Sequence, residues 1–186
     1  MSIVDPGRLE VAMFIAMART VGHREYRKFV DSMGLWGGES VMDFGSGPGV
    51  IAGMIAERLA QDGGRVTCVD ISKTWIEVAK RRLGKYSNIV YMLGDIRTMP
   101  IPKETFDVIG VHYVLHDVDA EIRPGVVAAL ARALKPDGRV LIDEPARSNH
   151  SMPQEEVRRL LGEVGLIEVH SKKTWLFYLG EFRKKD

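Results

Sequence analysis

Hydrophobic positions along this chain follow two rhythms that alternate. Leu9, Met13, Met17 and Val21 fall four residues apart, which predicts a helical segment from Arg8 to Gly34. The apolar run that begins at Val41 predicts a first strand, and Val50 to Ala60 a helix stopped by Asp62-Gly63-Gly64. Arg65 to Val69 then reads as strand, and Lys73 to Leu83 as a helix that Ser72 caps and Gly84 ends. Asn88 to Leu93 is the third strand. Phe106 to Val114 is the fourth, and its unbroken apolar run suits a strand buried on both faces. Glu121 to Leu134 predicts helix with Pro124 in its first turn, Lys135 to Gly138 a turn, and Arg139 to Ile142 a fifth strand. Ser151-Met152-Pro153-Gln154 has the spacing of a capping box, opening a helix to Glu163 that stops at Gly165. Leu166 to His170 and Trp175 to Phe182 are strands close enough to pair antiparallel. The pattern predicts one α/β domain over 1–186, with a helical cover at 1–38 and a core at 39–186. Its sheet is mostly parallel with one reversed strand.

Composition narrows the class. A 186-residue chain is long enough for one well-buried domain and short for two. Twenty-six basic residues against 25 acidic ones leave a net charge of +1, which offers no electrostatic footing to a nucleic acid. No apolar run reaches the length of a membrane span, and the first residues lack signal-peptide organisation, so a cytoplasmic protein is expected. Cys68 is the single cysteine, which excludes a disulfide framework and a thiolate metal cluster. No metal is expected, and no surplus apolar stripe indicates an oligomeric state.

The chemistry concentrates where the first strand turns into a helix. Asp43-x-Gly45-x-Gly47-x-Gly49 places glycines at alternate positions, which frees the backbone for positive φ and removes the Cβ atoms that hold a ligand off. The helix that follows turns its free N–H groups and positive dipole end toward the same space. Read alone, this is a nucleotide cradle at the carboxyl edge of a sheet. Gly47-x-Gly49-x-x-Ala52, with Asp70 21 residues past Gly49, also fits a dinucleotide fingerprint. Asp43 favours a different ligand, since a carboxylate there repels a pyrophosphate and attracts a cation.

The stretch from Asp43 to Gly49 resembles motif I of the class I S-adenosylmethionine-dependent methyltransferases, and the resemblance extends from about Val41 to the C-terminus. It implies a Rossmann-like seven-stranded sheet with an antiparallel C-terminal strand and helices on both faces. It also implies S-adenosylmethionine as cofactor. Asp70 would bind the ribose hydroxyls, a bidentate arrangement suited to a carboxylate. Ile71 would cover one adenine face, and Asp95 with Ile96 would recognise the adenine amino edge. Gly45, Ser46, Gly47 and Gly49 would line the methionine portion. Asp43 would reach its ammonium, aided by the backbone carbonyl of His112.

The segment Val114-Leu115-His116-Asp117-Val118-Asp119-Ala120-Glu121 is similar to the "LHDWSDEE" stretch of small-molecule O-methyltransferases. The likeness continues from Ala128 to Pro145. It implies that His116 deprotonates an acceptor hydroxyl and that Glu144 orients it, roles that suit an imidazole titrating near neutrality beside a carboxylate. The segment departs from that family in having Val118 where it carries Trp, and in lacking the large N-terminal dimerisation region. His116 and Asp117 or Asp119 also suit a plain helix start, with an Asp as its cap. His23 and Tyr26 read as an exposed helix face, and Arg147 and His150 as loop candidates for acceptor contact. Two alternatives stand beside a methyltransferase of small molecules. One is a methyltransferase-like subunit that binds the cofactor without catalysis, and the other a nicotinamide-dependent oxidoreductase.

Overall fold

The computed structural model describes residues 5–20, 22–146 and 151–185. Its strands form a seven-stranded sheet in the order β3-β2-β1-β4-β5-β7-β6. The chain divides into two compact units, residues 2–95 and 96–186.

In the first unit, β1 (Ser40–Phe44) pairs parallel with β2 (Arg65–Asp70), and β2 with β3 (Ile89–Leu93). The connecting helices α3 (Val50–Leu59) and α4 (Lys73–Leu83) bury Ile51, Ile55 and Leu59, and Ile76, Ala79 and Leu83, at the three- and four-residue spacings of one helical face. Ser72 caps α4 by accepting the Trp75 N–H at 3.2 Å.

The predicted opening helix is two helices, α1 (Arg8–Arg19) and α2 (His23–Ser32). The Thr20 hydroxyl bonds back to the carbonyls of Ala16 and Met17, and Gly22, a weak helix former, follows where the path bends. A Cβ on Gly22 would lie 2.8 Å from the Tyr26 ring. Tyr26 is accordingly half-buried, where an exposed position was expected, and His23 is exposed. α2 buries Phe29 and Val30, and Arg58 of α3 donates to the Val30 carbonyl at 3.1 Å and pairs with Asp31. Leu9, Met13 and Met17, the stripe that signalled helix, face solvent, with Leu9 74% exposed. Their spacing reports the helical period and carries no information on burial.

In the second unit, β4 (Phe106–His112) pairs parallel with β5 (Leu134–Pro145). β5 pairs antiparallel with β7 (Phe177–Lys184), which pairs antiparallel with β6 (Leu166–Lys173). β7 is therefore the one reversed strand, and the predicted terminal hairpin forms. α5 (Arg123–Ala133) and α6 (Gln154–Glu163) complete the unit.

Several boundaries differ from expectation: β6 runs on to Lys173, and β7 is shifted to Phe177–Lys184. β4 stops at His112 because Tyr113 adopts a left-handed backbone with φ +57°. The predicted turn at 135–138 lies inside β5, where a register irregularity between Phe106 and Val108 absorbs it. α5 begins at Arg123, with Pro124 in its first turn. α6 starts from Pro153 with no side-chain cap, so the capping box at Ser151 does not form. Among the described residues, no helix is long and apolar enough to cross a membrane.

Gly49 combines φ +75° with a Cβ position 2.5 Å from Leu83 Cδ1, whereas at Gly47, φ +50°, a Cβ meets nothing within 4 Å. Gly49→Ala should cost about 2–4 kcal/mol of unfolding free energy through strain and overpacking, and Gly47→Ala about 1–2 kcal/mol through backbone strain alone. Urea denaturation of the ligand-free protein measures both.

Candidate functional site

The glycine turn is bound to the end of β2. Gly45 and Ser46 donate N–H bonds to the Val69 carbonyl at 2.8 and 3.2 Å, and Gly49 closes the turn on the Ser46 carbonyl at 2.9 Å. Gly47 donates to Asp70 Oδ2 at 2.7 Å, and Ser72 to Asp70 Oδ1 at 2.8 Å. Gly94 donates to the Asp70 carbonyl at 3.0 Å, bringing the end of β3 and the half-buried Asp95 alongside. Asp43, Asp70 and Asp95 thus stand at the ends of three neighbouring strands.

Their electrostatic situations differ. Asp43 is 2% exposed, and its Oδ2 has no hydrogen-bond partner. Burial pushes its carboxyl up to about 7, the nearby Asp70 charge adds to this, and the Ala52 N–H opposes it. Asp70 is also buried and raised by desolvation, against the N–H groups of Ser72, Gly47 and Ile71. Gly47 and Ser72 take one Asp70 oxygen each and Ile71 adds a third donor, which leaves part of the carboxylate's acceptor capacity unused. Cys68 lies opposite Asp43 in the strand register, and burial drives its thiol far above the ordinary range, so it is a core residue without nucleophilic character.

Asp5, which nothing in the sequence marked, bonds to the Ser72 hydroxyl and adds to the upward push on Asp70. Ile71 is half-buried and Ile96 buried. A cavity of about 250 Å³ is lined by Gly49, Gly53, His23, Arg82 and Tyr86, and by none of the three acids.

The second unit holds a separate constellation. Glu144 of β5 is completely buried. Its Oε1 accepts the N–H groups of Val114 and Leu115 at 3.0 and 2.7 Å, and its Oε2 lies 2.6 Å from His116 Nδ1. His116 sits in the 3-10 turn Leu115–Asp117, with Nε2 3.5 Å from Asp117 Oδ1. The Glu144 hydrogen bond raises the imidazole pKa above its usual 6.5, burial opposes this, the Glu144 and Asp117 charges reinforce it, and Arg123 works against it. Neither Asp117 nor Asp119 is the N-cap of α5, which begins at Arg123 from Ile122 without a side-chain cap.

His112 is expected to act through its backbone carbonyl, and its imidazole has contacts that the sequence did not signal. Nδ1 lies 3.2 Å from Asp143 Oδ2, and the ring stacks at 4.0 Å on Tyr113, which stacks in turn on Phe177. Arg147 and His150 lie outside the described residues.

Residues 41–138, over half of the chain, match the family described as "Methyltransferase domain". The chain belongs to the class I S-adenosylmethionine-dependent methyltransferases. S-adenosylmethionine is the cofactor of that family. This methyltransferase is 33% identical over 135 residues to the ubiquinone/menaquinone biosynthesis C-methyltransferase of Teredinibacter turnerae, an alignment covering 70% of this chain and 53% of that protein. The chain spans little more than half the length of the curated relatives it matches. Its fold is that of the TehB-like S-adenosylmethionine-dependent methyltransferase of Corynebacterium glutamicum, at TM-score 0.78 and 21% identity, covering 96% of this chain and 100% of that one. The 1,6-didemethyltoxoflavin-N1-methyltransferase of Burkholderia thailandensis, solved with bound S-adenosylhomocysteine, matches at TM-score 0.71 and 20% identity over 95% of this methyltransferase and 87% of that chain.

An acid whose pKa is raised by folding binds more protons folded than unfolded, so its contribution to stability is lost as pH rises between the two values. For Asp43 that window runs from 3.8 to about 7. The unfolding free energy of the ligand-free protein should therefore fall across it, and Asp43→Asn should flatten the fall. Urea titrations at pH 5 and 8 measure the difference.

Proposed function

We propose that this methyltransferase transfers a methyl group to a hydroxyl of a small-molecule acceptor, with His116 as general base and Glu144 holding its tautomer. The observation that carries the reading is the 2.6 Å contact between His116 Nδ1 and the fully buried Glu144. A carboxylate at Nδ1 leaves Nε2 as the proton-accepting nitrogen and stabilises the imidazolium that forms. The exposed Asp117 has only acceptor oxygens, so it pairs with Nε2 once that nitrogen carries the proton and leaves its lone pair to the acceptor hydroxyl before then.

When bound, S-adenosylmethionine would supply an electrophilic methyl on a sulfonium that leaves as a neutral thioether, while His116 Nε2 takes the proton of the acceptor hydroxyl. The cradle suits that cofactor. The unpartnered Asp43 Oδ2 matches an ammonium, and the remaining acceptor capacity of Asp70 matches the ribose hydroxyl edge. Gly45, Ser46, Gly47 and Gly49 present backbone to the methionine portion, with the open face of Gly47 free of any Cβ. Ile71 and Asp95 serve the adenine.

The relative from Teredinibacter turnerae is a C-methyltransferase, which favours a second reading, in which the acceptor atom is carbon. The carbon-13 chemical shift of the product made with ¹³C-methyl-labelled cofactor separates an O-methyl from a C-methyl group.

His116→Gln should lower turnover on phenols and other hydroxylated small molecules about 10²–10⁴-fold, with cofactor affinity by calorimetry unchanged. Equal turnover removes His116 from the mechanism, and cofactor binding without product across the panel favours a non-catalytic subunit. Because the His116 pKa is raised, kcat/KM should climb with pH through a limb above 6.5, the ordinary imidazole value. Glu144→Gln should move that limb down.

A further inference from the structure

The turn that carries His116 is gripped from two directions. Glu144 takes N–H groups, those of Val114 and Leu115, and Arg123 takes carbonyls. Arg123 Nε donates to the Val118 carbonyl at 2.8 Å and Nη2 to the His116 carbonyl at 3.2 Å. Its Nη1 donates at 2.7 Å to Glu156 Oε1 on α6. One guanidinium thus joins the first residue of α5 to the turn on one side and to another helix on the other. Arg123 and Glu156 side chains are only 15% and 29% exposed, so this is no solvent-screened surface pair. The planar fork meets three acceptors in fixed directions, a task for which an ammonium has no equivalent.

The turn needs such holding. Between Tyr113 and Val118 its regular structure is the single 3-10 turn Leu115–Asp117, so side chains decide where the imidazole sits. The charged groups facing His116 are Glu144 from β5, Asp117 from its own turn and Arg123 from α5, with Glu156 of α6 behind the arginine. The two carboxylates favour the imidazolium, and Arg123 is the cation that opposes it.

We propose that Arg123, anchored by Glu156, is a positioning residue that holds the His116 turn against Glu144 and couples the base to α6. The inference rests on the reading of His116 as base and extends it to residues that do not touch the reacting atoms. It assigns the Glu156–Arg123 pair the work of keeping the imidazole both placed and able to lose its proton.

The test uses the full chain labelled with ¹⁵N-histidine, as wild type, R123Q, R123K and E156Q, with the His116 signal assigned by its loss in H116Q. R123Q should raise the titration midpoint of His116. It should also speed hydrogen exchange at the Val114 and Leu115 amides about tenfold or more, while amides of Val108 to Val111 in β4 keep their protection. R123K, which keeps the charge without the fork, should leave the midpoint near wild type and still speed the exchange. E156Q leaves Arg123 in place and should loosen the turn to a lesser degree; it carries the test if R123Q does not fold. In turnover, R123Q should lower kcat with the KM for cofactor unchanged and move the acidic limb upward.

An unchanged midpoint and unchanged Val114 and Leu115 exchange in both R123Q and E156Q overturn the proposal. Faster exchange everywhere, with the midpoint fixed, reduces Arg123 to a general stabiliser and also overturns it. If H116Q retains full turnover while the R123Q midpoint and exchange respond as expected, the base reading fails and the positioning contact stands.

Discussion

A carboxylate removed from water has to be met by donors, and among the described residues four are buried, Glu39, Glu144, Asp70 and Asp43. Glu39 accepts the N–H groups of Trp36 and Gly37 beside it, and the other three are each answered differently. Glu144 is satisfied within the fold, by two backbone N–H groups and an imidazole. Asp70 is met by backbone N–H groups that occupy part of its capacity and leave the rest free. Asp43 keeps one oxygen with no donor at all. The graded response separates an acid spent on the protein's own structure from acids with acceptor capacity left over. An unpaired buried carboxylate is costly, and in the proposed function the cofactor completes it.

The sheet makes these placements possible. Parallel strands deliver their carboxyl ends to one edge, so the glycine turn and the strand-end acids of the first unit meet through backbone hydrogen bonds to Val69 and Asp70. In the second unit the reversed β7 zips along β5 up to Pro145, which fixes the strand from which Glu144 reaches the His116 turn. The left-handed backbone at Tyr113 ends β4 and starts that turn, held by the Tyr113 N–H bond to the Asp143 carbonyl at 2.8 Å and by ring stacking on His112 and Phe177. Strain of this kind persists where surrounding contacts over-determine it. Here it lets a chain leaving β4 double back toward β5.

Membership of the methyltransferase family constrains the donor side far more than the acceptor side. The donor is recognised by charges and hydroxyls at strand ends, which the family's sheet supplies. The acceptor is recognised through loops and helices that vary among enzymes of one fold. In the function proposed for this chain, the acceptor side rests on the His116–Glu144 pair and the Arg123–Glu156 brace, both made from side chains far apart in sequence.

The sequence by itself determined the order and kind of nearly every element, the reversed terminal hairpin, and the cradle from Asp43 to Gly49. These depend on local periodicity and on glycine spacing, which act within a few residues. It also determined that Asp70 and Asp95 follow strands, because apolar runs end visibly at polar residues. Tertiary structure decided the rest. The break at Gly22, the exposure of Leu9, Met13 and Met17, and the end of β4 at Tyr113 depend on which neighbours arrive across the fold. So does the difference between Asp43 and Glu144, two buried acids that look alike along the chain. Which of them finds donors is set by distant backbone and side chains. Arg123 is the clearest case: as a helix-start residue its letter carries no signal, and its three acceptors come from His116, Val118 and Glu156, brought together only when α5, α6 and the turn pack.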